Sequence, residues 1–327
     1  MVFMHKKIVI TGASGFIGSC IVRYLNDLGI SNLLLVDDIG KSEMWKNLVG
    51  KSFSDIISIK ELFSYLQGRE EEFSSIIHMG ACTNTMEEDM SYLLENNYHF
   101  SRRLAEYALK NNVRFLYASS AATYGDGKQG FDDDENRLKE LRPINRYAYS
   151  KHLFDLWLLE EKLLNKVTGF KFFNVFGPNE WHKGTMASMV YHMTKTIQKE
   201  GEVRLFKSTD SKYADGEQKR DFIYAKDVVR MVVSFLNNEI FGIFNIGNGE
   251  AATWNFIARE IFRSLGKKEN IKYIDMPTLL VPGYQNYTCA NMEKYKKATK
   301  EKNVTSWALP KAIEDYVKNY ILVDKRW

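Results

Sequence analysis

The amino-acid sequence predicts an α/β fold, a doubly wound parallel sheet with a smaller mixed lobe in the second half of the chain. Three observations predict it. Short apolar runs alternate with longer segments of helical period. The runs are almost continuously apolar, as strands buried on both faces must be. A glycine-rich turn separates the first run from the first helical segment. With 327 residues, 45% hydrophobic and 26% charged, the chain can build a full core and a second lobe, and disorder is excluded.

In chain order the expected strands are "KKIVIT", "NLLLVD", "SSIIHMG", "RFLYASS" and "GFKFFNV", with helices near 16–28, 88–111 and 145–166. After "FNVFGPNE" the pattern changes to helices near 185–200, 225–237 and 253–265, separated by short strands such as "RDFIY" and "GIFNIG". The expected division is a nucleotide-binding domain over 1–174, with returning elements about 220–250, and a substrate-binding lobe over 175–219 and 251–327. No repeat or low-complexity linker interrupts it.

Net charge is +4, but the acidic runs "REEEF" and "DDDEN" and the basic run "KYKKATKEK" are local and offset one another. Such runs read as solvated faces, so nucleic acid is not an expected partner. Cys20, Cys82 and Cys289 are odd in number and far apart, with no spacing of a disulfide framework or a zinc site, and no metal is expected. "MVFMHKKIVITG" enters a strand almost at once, and no run approaches the ~18 apolar residues of a membrane span. A cytoplasmic protein off the membrane is expected.

"IVITGASGFIG" places Gly12, Gly15 and Gly18 between a strand and a helix start, with Phe16 and Ile17 in the first helical turn. Strand, tight turn and helix N-terminus together offer backbone amides to a pyrophosphate, and a side chain at the glycines would hold the phosphate away. This is the Rossmann-type arrangement, spaced G-x-x-G-x-x-G. About 20 residues on, "LLLVDD" ends the second strand with Asp37 and Asp38, where a carboxylate accepts hydrogen bonds from an adenosine ribose. Such a carboxylate favours NAD over NADP, whereas Lys41 and Lys46 nearby offset a 2′-phosphate. Electrostatics alone leaves the choice open.

"NRYAYSKHLFDLW" sets Tyr147 and Lys151 four apart on one helical face, with Tyr149 directed elsewhere. Before it in the chain stand "HMGAC" at 78–82, "ENNY" at 95–98 and "YASSAATYG" at 117–125. This ordered set resembles the extended short-chain dehydrogenase/reductase family, and the resemblance covers nearly the whole chain. It implies a nicotinamide dinucleotide, NADP with NAD as alternative, and a nucleotide-linked sugar. It also implies that Ser120, Tyr147 and Lys151 are catalytic, that Met79, Gly80, Ala81, Cys82, Thr83 and Asn96 line the cofactor, and that Asp55 and Ile56 reach the adenine. A free tyrosine titrates near ~10; positive charge from Lys151 and an oxidised nicotinamide is expected to lower that value.

Ala121 and Ala122 replace the acid pair that sugar dehydratases of the family need beside the serine. The segment "FNVFGPNEWHKGTMASMVYH" at 173–192, with "LFKST", "KRDFIY" and "PGYQNYT" following in order, resembles the branch that acts on an ADP-linked heptose. That resemblance implies epimerisation at C6 for lipopolysaccharide core, with Lys183 a second catalytic acid/base. It implies that Val175 and Lys183 touch the cofactor, and that Asn174, Thr185, His192, Phe206, Lys207, Ser208, Thr209, Arg220 and Tyr284 contact the sugar nucleotide. A homo-oligomer, expected as a pentamer, is implied too. Two departures are Thr185, where relatives often carry serine, and Met44, where they carry a lysine, which bears on how a 2′-phosphate is held. The alternatives are another nucleotide-sugar epimerase, such as a UDP-hexose 4-epimerase, and a non-catalytic NADP-sensing regulator. The role of the acidic insertion "GKQGFDDDENRLKELRP" is open.

Overall fold

The computed structural model describes residues 6–278, 281 and 284–327; Pro282 and Gly283 of "PGYQNYT" and the first five residues lie outside them. In chain order the first half forms β1 (Lys7–Thr11), α1 (Phe16–Asp27), β2 (Leu33–Val36), β3 (Asp55–Ile57), α2 (Leu62–Leu66), β4 (Phe73–His78), α3 (Met90–Leu93), α4 (Phe100–Lys110), β5 (Arg114–Ser120), α5 (Arg146–Glu160) and β6 (Thr168–Phe172). The second half adds β7 (Asn174–Phe176), α6 (Met189–Glu200), β8 (Val203–Phe206), β9 (Lys219–Tyr224), α7 (Ala225–Ser234), β10 (Gly242–Ile246), β11 (Ala251–Thr253), α8 (Trp254–Ser264), β12 (Ile271–Ile274), α9 (Glu293–Thr299) and α10 (Leu309–Tyr316).

A seven-stranded sheet runs in the order β3-β2-β1-β4-β5-β6-β10, parallel at every pairing. The order reverses between β1 and β4, which is the switch point where doubly wound folds open a ligand crevice. Burial explains the runs: all four residues of β2 and all five of β10 are buried. One apolar cluster packs around this sheet and takes in Ala290, Met292, Tyr295 and Val304 from the C-terminal stretch. A second cluster joins α6, β8, β9, α8 and α10. No helix among the described residues is long and apolar enough to cross a membrane.

Several elements differ from the sequence expectation for identifiable reasons. The run "GFKFFNV" is broken at Phe173, which turns inward and donates its N–H to the Ile246 carbonyl at 3.0 Å, so β6 and β7 lie in different sheets. The helix expected over 145–166 stops at Glu160; Lys162 takes φ +56°, and the chain turns to bury Leu164 and Val167. The helix expected from 185 starts at Met189 because Ser188 caps it, accepting the Tyr191 N–H at 3.2 Å. Of the returning elements about 220–250, β10 joins the large sheet, whereas β9 lies between β7 and β11 in a three-stranded sheet.

The acidic insertion covers a sheet edge. Asp133 accepts the Asn245 N–H at 2.7 Å and Glu135 accepts the Ile243 N–H at 2.8 Å, pairing carboxylates with amides of edge strand β10. Lys294 bridges Glu135 and the Ile243 carbonyl at 2.7 and 2.8 Å. An uncovered edge would present these groups to another chain.

Candidate active site

The expected site residues of the first half gather at the carboxyl ends of β1, β2, β4 and β5. At the first of these, Gly12 takes φ +65°, and a Cβ on it would lie 2.7 Å from the Gly80 amide nitrogen. A Cβ on Gly18 would lie 2.0 Å from the Gly12 carbonyl oxygen, so α1 can seat against the turn only without one. Gly15 is the N-cap of α1 and no side chain caps that helix, leaving its first-turn amides, at Phe16 and Ile17, to an external anion. This bare cradle fits a pyrophosphate.

Beside it, both aspartates are engaged by the protein. Asp37 accepts the Ser14 N–H at 2.9 Å and the Ser14 hydroxyl at 2.5 Å, which ties the end of β2 to the glycine turn. Asp38 accepts the Ser58 hydroxyl at 2.7 Å and the Ile59 N–H at 3.2 Å. Asp55 and Ile56 sit in β3, paired with Leu34 and Leu35 in the body of β2, and it is Ile57 that faces Val36 at the strand end. Lys46 is ion-paired with Glu43, whereas Lys41 is exposed with no ion pair among the described residues.

The segment Met79, Gly80, Ala81, Cys82 and Thr83 leaves β4 over the glycine turn, with the Gly80 N–H donating to Thr11 Oγ1 at 3.1 Å. A π-helical segment (Leu94–His99) joins α3 to α4 and decides which asparagine meets it. Asn97 is fully buried, accepts the Cys82 N–H at 2.8 Å, and donates to the Cys82 carbonyl at 3.0 Å and to Ser150 Oγ at 2.9 Å. Asn96 is half-buried and donates to the Tyr92 carbonyl at 2.8 Å. Sequence reasoning passed over Asn97; the doubled asparagine of "ENNY" was its only signal, and a π turn breaks the periodicity that would have chosen between them.

Ser120 ends β5 and Tyr147 lies in the first turn of α5, where the Ser120 hydroxyl favours the ionised form of the phenol. Asn145 caps that helix by accepting the Ala148 N–H at 2.8 Å, which fixes the turn carrying Tyr147. The lowering of the phenol expected from Lys151 and an oxidised nicotinamide is opposed by burial. Burial pushes Tyr147 above its ordinary value, and the Ser120 hydrogen bond opposes it. Lys151 is 3% exposed, and burial pulls its ammonium down to about 8, against the attraction of Asp155.

Lys183 lies on a 3-10 turn (Trp181–Met186) broken at Gly184, φ +53°. Buried Glu180 anchors the turn: it accepts the Ser188 hydroxyl and the Tyr316 hydroxyl, each at 2.8 Å. The Lys183 ammonium stands 5.5 Å from the Phe16 ring centroid, which brings it to the glycine turn. Burial lowers its pKa, with Glu180 opposing. Thr185 is exposed on the same turn, and Asn174 and Val175 begin β7. His182 faces Asn47, 3.3 Å from its amide.

Arg220, on β9, is 8% exposed, with its guanidinium carbon 5.0 Å from the Tyr284 ring and 5.7 Å from the Trp254 ring. Trp254 donates its indole N–H to the Tyr284 hydroxyl at 3.0 Å, and Phe206 meets Tyr284 edge-on at 6.4 Å. Burial lowers the Arg220 pKa while Tyr284 raises it. Trp254 was also passed over, since nothing in its local pattern separates it from core. Lys207 pairs with Asp275 at 3.0 Å, Ser208 donates its N–H to Asp215 at 2.8 Å, and Thr209 is exposed beyond them. His192, on α6, has a buried Nε2 with no partner among the described residues, a polar atom suited to a ligand.

Residues 8–247 match the NAD dependent epimerase/dehydratase family. The chain is 42% identical over 316 residues to ADP-L-glycero-D-manno-heptose-6-epimerase of Nitratidesulfovibrio vulgaris, covering 96% of this chain and 97% of that protein. It is 40% identical to the enzyme of that name from Fusobacterium nucleatum, over 96% and 98% of the two chains. The crystal structure of the Helicobacter pylori enzyme of that name is similar with a TM-score of 0.80 at 27% identity, over 96% of each chain.

Proposed function

Because the chain belongs to the NAD dependent epimerase/dehydratase family, we propose that it inverts C6 of ADP-D-glycero-D-manno-heptose to give ADP-L-glycero-D-manno-heptose, through a 6-keto sugar. Similarity to enzymes of that name over nearly the whole of both chains carries the reading.

The glycine turn, the first turn of α1 and the ends of β2 and β3 would hold a nicotinamide dinucleotide, read as NADP with NAD as alternative. Lys41 is the cation left for a 2′-phosphate beside Asp37, as Lys46 is engaged by Glu43. When bound, the dinucleotide supplies reversible hydride acceptance. The remaining work falls to side chains. Ser120 holds the C6 oxygen and Tyr147 takes or returns its proton. Inversion with hydride confined to one side requires the ketone to present its other face, so the oxygen occupies two places. Lys183 is the proton donor at the second, and a lysine kept from full basicity by burial suits that task. Arg220 offers a planar fork to the diphosphate, and His192 Nε2 a further polar contact. A homo-oligomer and a cytoplasmic location complete the reading.

Proton NMR of mixtures with ADP-D-glycero-D-manno-heptose and with UDP-hexoses tests it. Conversion of the heptose alone is expected; turnover of the UDP sugars alone would overturn it.

A further inference from the structure

Directly under the catalytic group lies an ion pair with no access to water. Asp155 and Lys171 have side chains 0% and 1% exposed and meet at 2.7 Å. Asp155 stands one helical turn after Lys151 on α5, and Lys171 is in β6. The carboxylate also accepts the Tyr117 hydroxyl at 2.9 Å and the Ser119 hydroxyl at 2.7 Å, both from β5. The Lys171 ammonium donates to Thr123 Oγ1 at 2.6 Å, and the Thr123 hydroxyl donates to the Ser120 carbonyl at 2.7 Å. A continuous set of hydrogen bonds therefore runs from the helix bearing Tyr147 and Lys151 to the backbone of Ser120.

A buried ion pair is a poor source of stability, since desolvation cancels much of its attraction and apolar groups of equal volume often serve as well. Its position gives it another use. We propose that Asp155 and Lys171 are positioning residues for Ser120, Tyr147 and Lys151, fixing α5 against β5 and balancing opposite charges next to the Lys151 ammonium. This rests on the reading of those three as the catalytic group.

The charged groups that act on Lys151 are Asp155 on its own helix and Lys171 from β6, and the titratable but neutral His78 from β4 faces it as well. His152 is coupled to the same pair, and Tyr117 from β5 reaches it through the Asp155 carboxylate. Burial pushes the Asp155 carboxyl up, but Lys171 and its hydrogen bonds prevail and hold it low, so it is ionised at neutral pH. Asp155 favours the charged form of Lys151 and Lys171 disfavours it. Removing one member should therefore move Lys151 in the direction opposite to removing the other.

The test is NMR titration of the lysine amine in protein labelled with 15N-lysine, with Lys151 assigned through Lys151→Met. Lys171→Met is expected to raise the Lys151 midpoint and Asp155→Asn to lower it, each by about one pH unit, a tenfold change in the charged-to-neutral ratio. Lys171→Arg should keep the wild-type midpoint. Midpoints that stay put, or move the same way in both variants, would overturn the charge balance. Should either single variant fail to fold, the double variant Asp155→Asn/Lys171→Met decides: kcat on ADP-heptose at least about tenfold lower with KM little changed supports positioning, and an unchanged kcat overturns it. Opposite midpoint shifts in a protein that turns over no ADP-heptose would sink the substrate reading and leave the charge balance standing.

Discussion

The Lys183 ammonium stands over the Phe16 ring, 5.5 Å from its centroid, so the turn carrying this proposed second proton donor is held against the helix that begins the glycine-turn cradle. Lys183→Met keeps the stem and removes the proton. Turnover is expected to fall by about 10²–10⁴, with dinucleotide affinity by fluorescence titration changed far less. Wild-type turnover would remove Lys183 from the chemistry.

Tyr147→Phe should lower turnover by a similar factor, about 10²–10⁴, while circular dichroism and melting temperature stay near those of the wild type. Tyr147 belongs to neither apolar cluster, so losing its hydroxyl leaves the core intact. Retained activity would return Tyr147 to the role of packing residue.

Gly18→Ala forces a methyl to within 2.0 Å of the Gly12 carbonyl oxygen, and backbone cannot yield as a side-chain tip does. Fluorescence titration should find NADPH and NADH binding weakened at least about tenfold, a change of ~1.4 kcal/mol. Unaltered affinity for both would show that the cradle does not hold the phosphates.

His78 is 1% exposed between Thr11 and Ser101, and burial holds its pKa down to about 3. In the unfolded chain it titrates near its ordinary 6.5. Lowering the pH through that value protonates the unfolded chain but not the fold, so this stabilisation is present above pH 6.5 and drains away below it. Between pH 7 and 5 the loss is about 2 kcal/mol. Asp133 and Asp221, raised to about 6 by burial, act in the opposite direction as pH falls, whereas His152 and His182, lowered to about 4 by burial, act in the same direction as His78, so its share is read by difference against a variant. In urea denaturation, the stability gap between wild type and His78→Asn should shrink by about 2 kcal/mol from pH 7 to pH 5. A constant gap would mean that His78 titrates in the fold as it does in the unfolded chain.

What was legible in the sequence follows from local physics. Buried parallel strands must be apolar, so β1, β2, β4 and β5 could be read directly, whereas β3 has three residues at a sheet edge with Asp55 exposed and carries no such mark. The spacing of Tyr147 and Lys151 was readable because a helix repeats regularly. Their electrostatics was not, because Lys171, 20 positions on, reaches Lys151's surroundings only through the β5–β6 pairing. Asn97 escaped for a related reason: the π turn rotates the helix face at that point. Asp37 was placed at the end of β2 correctly, but its attachment to Ser14 depends on how the strand end meets the glycine turn.

Turnover of ADP-D-glycero-D-manno-heptose in heavy water addresses the central claim, that one hydride leaves C6 and the same hydride returns to it. The account predicts an inverted product with no deuterium at C6 by mass spectrometry and proton NMR. Solvent deuterium at the inverted carbon would contradict it, because the hydrogen would then have left as a proton.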